Sequence, residues 1–172
     1  MSATLFVLDT SYLIEIAGCG RDSHPAARKM VLARFKKAAA QGGRFFVPLP
    51  CVFELGNHIA DVKHEADRLR LAQWLYGTVT SCLENSRPWT ITPTQKPEEV
   101  LPSLMERFCP LASKQQIGLV DAFTIEEADR LKRNYANIKG RVHIWTNDGP
   151  LKKFEPDPEP NPYLWKSDGS PR

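Results

Sequence analysis

The stretch Leu5-Phe6-Val7-Leu8 is apolar without interruption and stops at Asp9. A strand with one wet face alternates apolar and polar residues, whereas a strand covered on both faces does not. The run therefore reads as a buried strand of a parallel sheet. "RFFVP" at 44–48 and "RVHIWT" at 141–146 read the same way, and "PWTITP" at 88–93 is a short strand with proline at both ends. Helical patterns fill the intervals. Strands alternating with helices imply one α/β domain whose mostly parallel sheet is covered on both faces.

The helices are legible from spacing and punctuation. One is expected from Ser11 to about Ala17, ending in the loop "GCGRDSHP". A second covers 25–41, with Pro25 suited to its first position and Gly42-Gly43 to its end. "CVFELGNHIADV" at 51–62 is a third. A long one runs from Glu65 to about Glu84, with Leu69, Ala72, Leu75 and Val79 on one side. "PEEVLPSLMERF" at 97–108 is helical in pattern, although Pro102 lies inside it. "LVDAFTIEEADRLKRNY" at 119–135 carries its Lys and Arg towards the C-terminal end, where the helix dipole favours them. "NDGPLKKF" at 147–154 begins as a turn and leads into a single helical turn. Residues 155–172 are proline-rich and aperiodic, which predicts an extended or loosely packed arm beyond a domain spanning 1–154.

The balance of the chain excludes several classes. The net charge is +3 and the pI about 8.7, which permits a nucleic-acid partner without requiring one. Cys19, Cys51, Cys82 and Cys109 stand singly, so no Cys-x-x-Cys zinc site or disulfide framework is indicated. They read as reduced thiols, mostly buried, of a cytoplasmic protein. The apolar start "MSATLFVLDTSYLIEI" has no basic leader and is broken by Asp9 and Glu15, so neither a signal peptide nor a membrane span is expected. No glycine-rich phosphate loop appears, and "DTS" lacks the second Asp of a haloacid-dehalogenase-type phosphatase.

The chemistry lies in four acids. In parallel sheets, ligands sit beyond the carboxyl ends of the strands. Asp9 ends the first strand, and Asp148 follows "RVHIWT". Glu54 rides the helix after the second strand, and Asp121 opens another helix near the same edge. Each has an ordinary reading alone: Asp9 as a helix cap, Asp121 as a dipole-stabilising residue, Asp148 as a turn residue and Glu54 as part of a wet helix face. Together they would repel unless a divalent cation joined them. Oxygen donors without His or Cys suit magnesium or manganese rather than zinc. Thr10, Ser11 and Thr146 set hydroxyls beside the acids.

The blocks "VLDTSYLIEI", "VPLPCVFELGNHI", "GLVDAFTIEEA" and "IWTND", in that order, resemble the PIN domain from about Leu5 to Phe154. The resemblance implies a Rossmann-like three-layer α/β/α fold and an Mg2+- or Mn2+-dependent nuclease, usually a ribonuclease. It implies that Asp9, Asp121 and Asp148 bind the metal and that Glu54 binds it or orients water. Thr146 and the hydroxyl of Thr10 or Ser11 would support them, and Thr124 would line the pocket. Many small PIN proteins resemble VapC-type toxins, which form dimers and are blocked by an antitoxin's peptide. The toxin role, a homodimer and an antitoxin partner are therefore expectations. The stretch between Asp61 and Gly118, and the tail after Phe154, are longer than that compact pattern.

Other features are weighed beside these. Lys152 and Lys153 follow Asp148 closely and are expected to contact phosphate. His58 lies one turn past Glu54 but is read as a surface or hydrogen-bonded residue. His143 reads as structural. Trp89, Trp145 and Trp165 read as packing residues. Two alternatives share much of this sequence: a PIN-like module that binds RNA or protein without cutting, and a nuclease acting on DNA structures.

Overall fold

The computed structural model describes residues 3–93, 95–115 and 117–172. Four strands form one sheet: β1 (Thr4–Leu8), β2 (Arg44–Pro48), β3 (Thr90–Thr92) and β4 (Arg141–Trp145), in the order β3-β2-β1-β4. Every pairing is parallel, with Leu8 opposite Trp145 and Val7 opposite Phe46. The helices are α1 (Thr10–Ala17), α2 (Pro25–Ala40), α3 (Leu49–Ala60), α4 (Glu65–Asn85), α5 (Pro97–Gln115), α6 (Leu119–Asn134) and the short α7 (Gly149–Lys152). Short 3-10 turns lie at Gly20–Asp22 and Ala136–Ile138.

The continuous apolar runs are explained by two cores, one on each sheet face. Phe6, Leu8, Phe45 and Val47 pack with Tyr12, Leu13, Val31, Leu55 and Leu71 from α1 to α4. Leu5, Val7, Phe46, Val142 and Ile144 pack with Leu104, Ile125, Leu131 and Leu151 from α5 to α7. The result is a three-layer α/β/α, Rossmann-like fold. Strand order grows outward from β1 through β2 to β3, then returns to place β4 on the other side of β1. The carboxyl ends of β1 and β4 thus flank the switch point, where such sheets form a crevice.

Two elements depart from the reading of the sequence. Helix α5 extends to Gln115 and contains both Pro102 and Pro110. Each proline removes a backbone donor, but Leu104 and Leu111 are buried against the second core. Arg107 also bridges to Glu126 and Asp129 of α6 at 2.8 and 2.6 Å. Tertiary packing outweighs the local penalty.

The second departure is the tail, which is not loosely packed. Tyr163 and Trp165 are buried in the first core. Asp157 accepts from the Val142 amide at 2.7 Å, and its own amide donates to the Val142 carbonyl at 3.1 Å. Glu155 accepts from the Ile144 amide at 3.1 Å. Two carboxylates thereby occupy the outer edge of β4 and satisfy donors that would otherwise invite another strand.

The aromatic and histidine readings hold. Trp89, Trp145 and Trp165 are all buried. His143 is buried, with its Nδ1 2.7 Å from the Asp157 carbonyl oxygen. The cysteines are free, with Cys19, Cys51 and Cys82 buried and Cys109 exposed. Among the described residues no helix is long and apolar enough to cross a membrane.

Candidate functional site

Asp9 is where strand becomes helix. Its amide donates to the Trp145 carbonyl at 3.0 Å, continuing the β1–β4 ladder by one residue. Its side chain caps α1, accepting from the Ser11 amide at 3.3 Å. The hydroxyls of Ser11 and Thr146 converge on the same oxygen, Oδ2, at 2.8 and 2.9 Å. Burial pushes the Asp9 carboxyl up, and these hydrogen bonds oppose that push. The capping role and a place in the cleft belong to one side chain.

The chain after β4 is threaded through the same network. The Asn147 amide donates to Ser11 Oγ, and the Asp148 amide to Thr146 Oγ1, both at 2.9 Å. Asp148 caps α7, its Oδ1 accepting from the Leu151 amide at 2.8 Å. It too is both a turn residue and a wall residue.

Glu54 comes from α3, which shows why an acid sits in so apolar a helix. Cys51, Leu55 and Ile59 recur every four residues and are buried. Glu54, Asn57, His58 and Asp61 follow the complementary spacing and face an open cleft of about 490 Å³. Thr10 Oγ1 donates to Glu54 Oε2 at 2.6 Å, tying α1 to α3 across the cleft floor. Asp121, in the first turn of α6, forms another wall. Its carboxyl is pushed up to about 6, first by burial, then by the charges of Asp9 and Asp148, with Glu54 contributing less.

Asp9, Glu54, Asp121 and Asp148 therefore line one cleft at the switch point, with Thr10 and Ser11 beside them. All four offer carboxylate oxygens, the donor type of magnesium and manganese. The hydroxyls occupy a single oxygen of Asp9 and of Glu54, so the second oxygen of each is outside those bonds. These residues could hold such a cation. Among the described residues, no three His, Cys, Asp or Glu side chains stand together as a ready ligand set. Burial first, and the neighbouring acids second, make ionising Asp121 harder than for a free carboxyl.

Two expectations are corrected, those for Thr124 and Lys152. Thr124 is fully buried and donates to the Val120 carbonyl at 3.0 Å, with Cys51 Sγ at 3.7 Å, so it lies beneath the cleft rather than on its wall. Lys152 does not reach outward: its Nζ is bonded to the Ile144 carbonyl at 2.8 Å, to Glu155 at 2.7 Å and to Glu159 at 3.2 Å. Lys153 is exposed but not on the cleft wall. Successive residues of a helix leave it in different directions, so proximity in sequence to Asp148 did not place the two lysines alike.

Asn57 and Asp61 were missed, although the α3 spacing that places Glu54 also places them. His58 lines the cleft and is also hydrogen-bonded, Nδ1 to Asp22 Oδ2 at 2.9 Å. Asn147 was missed because its partner is remote: the Trp165 amide donates to its Oδ1 at 2.7 Å. No protein-family model matches the chain, and no curated protein matches it significantly.

Proposed function

We propose that this chain is a PIN-type, metal-dependent ribonuclease that hydrolyses RNA phosphodiester bonds. One observation carries the reading: Asp9, Glu54, Asp121 and Asp148, brought by four different elements, line a single open cleft at the switch point of a parallel sheet. A magnesium or manganese ion held there supplies an activated water and neutralises charge developing on the phosphate. Asp9, Asp121 and Asp148 would hold the ion through carboxylate oxygens, and Glu54 would hold it or orient the water. Ser11 and Thr146 hold Asp9, and Thr10 holds Glu54. The open cleft admits a polymer rather than enclosing a small molecule. The proposed cellular role is the toxin of a toxin–antitoxin pair, acting as a homodimer and blocked by an antitoxin peptide in the acidic cleft.

The test is cleavage of a mixed pool of labelled RNAs with manganese, with magnesium and with EDTA, beside Asp9→Asn. Cutting that needs the metal and is lost in the variant supports the reading. No cutting by folded protein free of a copurified inhibitor overturns it. A non-cleaving binding module is favoured by one fact, that the acids do not stand as a ready ligand set among the described residues. A nuclease for DNA structures would share the cleft, and a parallel DNA pool separates the two.

A further inference from the structure

With Lys152 tied into internal ion pairs, the cations that would hold a bound strand must lie elsewhere. The acidic cleft is not isolated. It shares His58 and Asp61 with a second depression of about 400 Å³, between the end of α1 and the α3–α4 turn. That depression in turn shares Gly20 with a third, of about 550 Å³, walled by Arg28 and Lys29 of α2 and Arg70 of α4. The three depressions thus adjoin in series along α1, from Thr10, Ser11 and Ile14 at its N-terminal end to Ala17 and Gly18 at its C-terminal end, a groove in three parts.

The charge along this groove changes sign. The near end holds the four acids. The middle is still acidic on balance: Asp22, Asp61 and Asp67 line it with His58, His64 and one lysine, Lys63, and Asp22 is bonded to His58 at 2.9 Å, so the sign changes only at the far end. The far end has Arg28, Lys29 and Arg70 and no acid on its wall. Arg28 is set in place rather than waving in solvent. Its Nε donates to the Glu15 carbonyl at 3.1 Å, and it crosses Gly18, where a Cβ would come within 2.7 Å of that nitrogen. Gly18 also takes the left-handed conformation that ends α1, with φ of 70°. Neither Arg28 nor Lys29 pairs with a carboxylate among the described residues. Among the described residues Arg70 pairs only with Asp67, at 3.5 Å with both side chains more than half exposed, a bond a phosphate can displace.

We infer that the basic end of this groove binds the backbone phosphates of a single nucleic-acid strand whose scissile phosphate lies in the acidic cleft. The inference rests on the nuclease reading for the strand's near end and on the charge of the groove for its far end. Lysine and arginine charges grip the backbone without reading bases, so the far end supplies affinity and register rather than sequence preference.

The test measures binding in EDTA, where no cleavage occurs, using a fluorescein-labelled RNA strand of about twelve nucleotides, a length that one such groove can engage. The same sequence as DNA and as duplex RNA forms the other arms. Lys29→Gln/Arg70→Gln is compared with Lys36→Gln/Lys114→Gln, an equal charge change on exposed residues off the groove. The groove pair is expected to weaken single-strand binding by about tenfold near 0.1 M salt and to reduce the slope of log affinity against log salt by about 1.4, while the control pair changes neither. Equal loss in both pairs, unchanged binding in the groove pair, or preference for duplex overturns the inference. Cleavage with manganese separates it from the reading it builds on. Cutting that Asp9→Asn abolishes but the groove pair leaves with an unchanged KM defeats the groove and spares the nuclease. Groove-dependent binding with no cutting does the reverse.

Discussion

Thr146 Oγ1 donates to Asp9 Oδ2 at 2.9 Å and accepts from the Asp148 amide at the same distance. One buried hydroxyl thereby fixes two acids that lie 139 positions apart in the chain. Thr146→Val keeps the shape and removes both bonds. It leaves the Asp148 amide without its acceptor, at an expected cost of about 1–3 kcal/mol in urea denaturation. Cleavage is expected to fall with it, and Thr146→Ser to restore most of both.

Asp121 is held where its charge is costly. Its carboxyl is raised from 3.8 to about 6, so the folded state holds its proton more tightly than the unfolded chain. The stabilisation this gives is full below the unfolded value and is lost as pH rises towards about 6. Asp121→Asn removes the titration. Compared by urea midpoints in EDTA, the variant is expected to be more stable than the parent at pH 7 by about 1 kcal/mol, allowing for solvent screening of a half-exposed group. That advantage is expected to shrink between pH 6 and pH 4, and cleavage to be lost throughout. A variant less stable at pH 7 would show that Asp121 is not strained by its neighbours.

Lys152 belongs to the fold. Its side chain is 12% exposed and satisfies Glu155 and Glu159, which in turn hold the β4 edge and Trp145. Lys152→Ala leaves Glu155 buried without its cation, while Glu159 keeps Arg34, and is expected to cost about 3 kcal/mol. If the protein remains folded, the salt dependence of RNA binding should not change. A lower salt slope would instead return Lys152 to the phosphate-binding surface.

The tail is expected to be part of the folding unit. Trp165→Ala removes a ring stacked on Tyr163 and tilted against Tyr12 and should cost about 3–5 kcal/mol. Asn147→Ala, made alone, strips the acceptor from the Trp165 amide and should cost about 1–3 kcal/mol. Truncation after Phe154 should yield insoluble or unfolded protein, because the β4 edge amides lose Glu155 and Asp157 together. A soluble, cooperatively melting 1–154 fragment would show that the tail is an appendage.

Much of the fold lay in local pattern. Runs such as Leu5–Leu8 are covered on both faces wherever they occur in a parallel sheet, and helix α6 follows from its spacing and its basic C-terminal end. The order of the strands lay in no local pattern, nor did the path of α5 through two prolines. Those depend on what packs against each element, and propensity yields to burial when the two disagree. The four acids were legible for a related reason. Strand ends and first helical turns are local, and a parallel sheet sends them all to one edge.

What only the tertiary structure decided is where each side chain's partner lies. Alone, Asp9 and Asp148 are caps. They become walls of one cleft because β4 pairs with β1, which sequence distance conceals. Lys152 looked like a phosphate contact beside Asp148 and is held inward by Glu155 and Glu159. The proline-rich tail had no period to read, since it pairs carboxylates and aromatic rings with the sheet instead of repeating. Sequence determines the periodic, local contributions, because each residue's neighbours in a helix or strand are set by spacing. Contacts between remote residues depend on the three-dimensional path, and here they decide which charges remain free to meet a ligand.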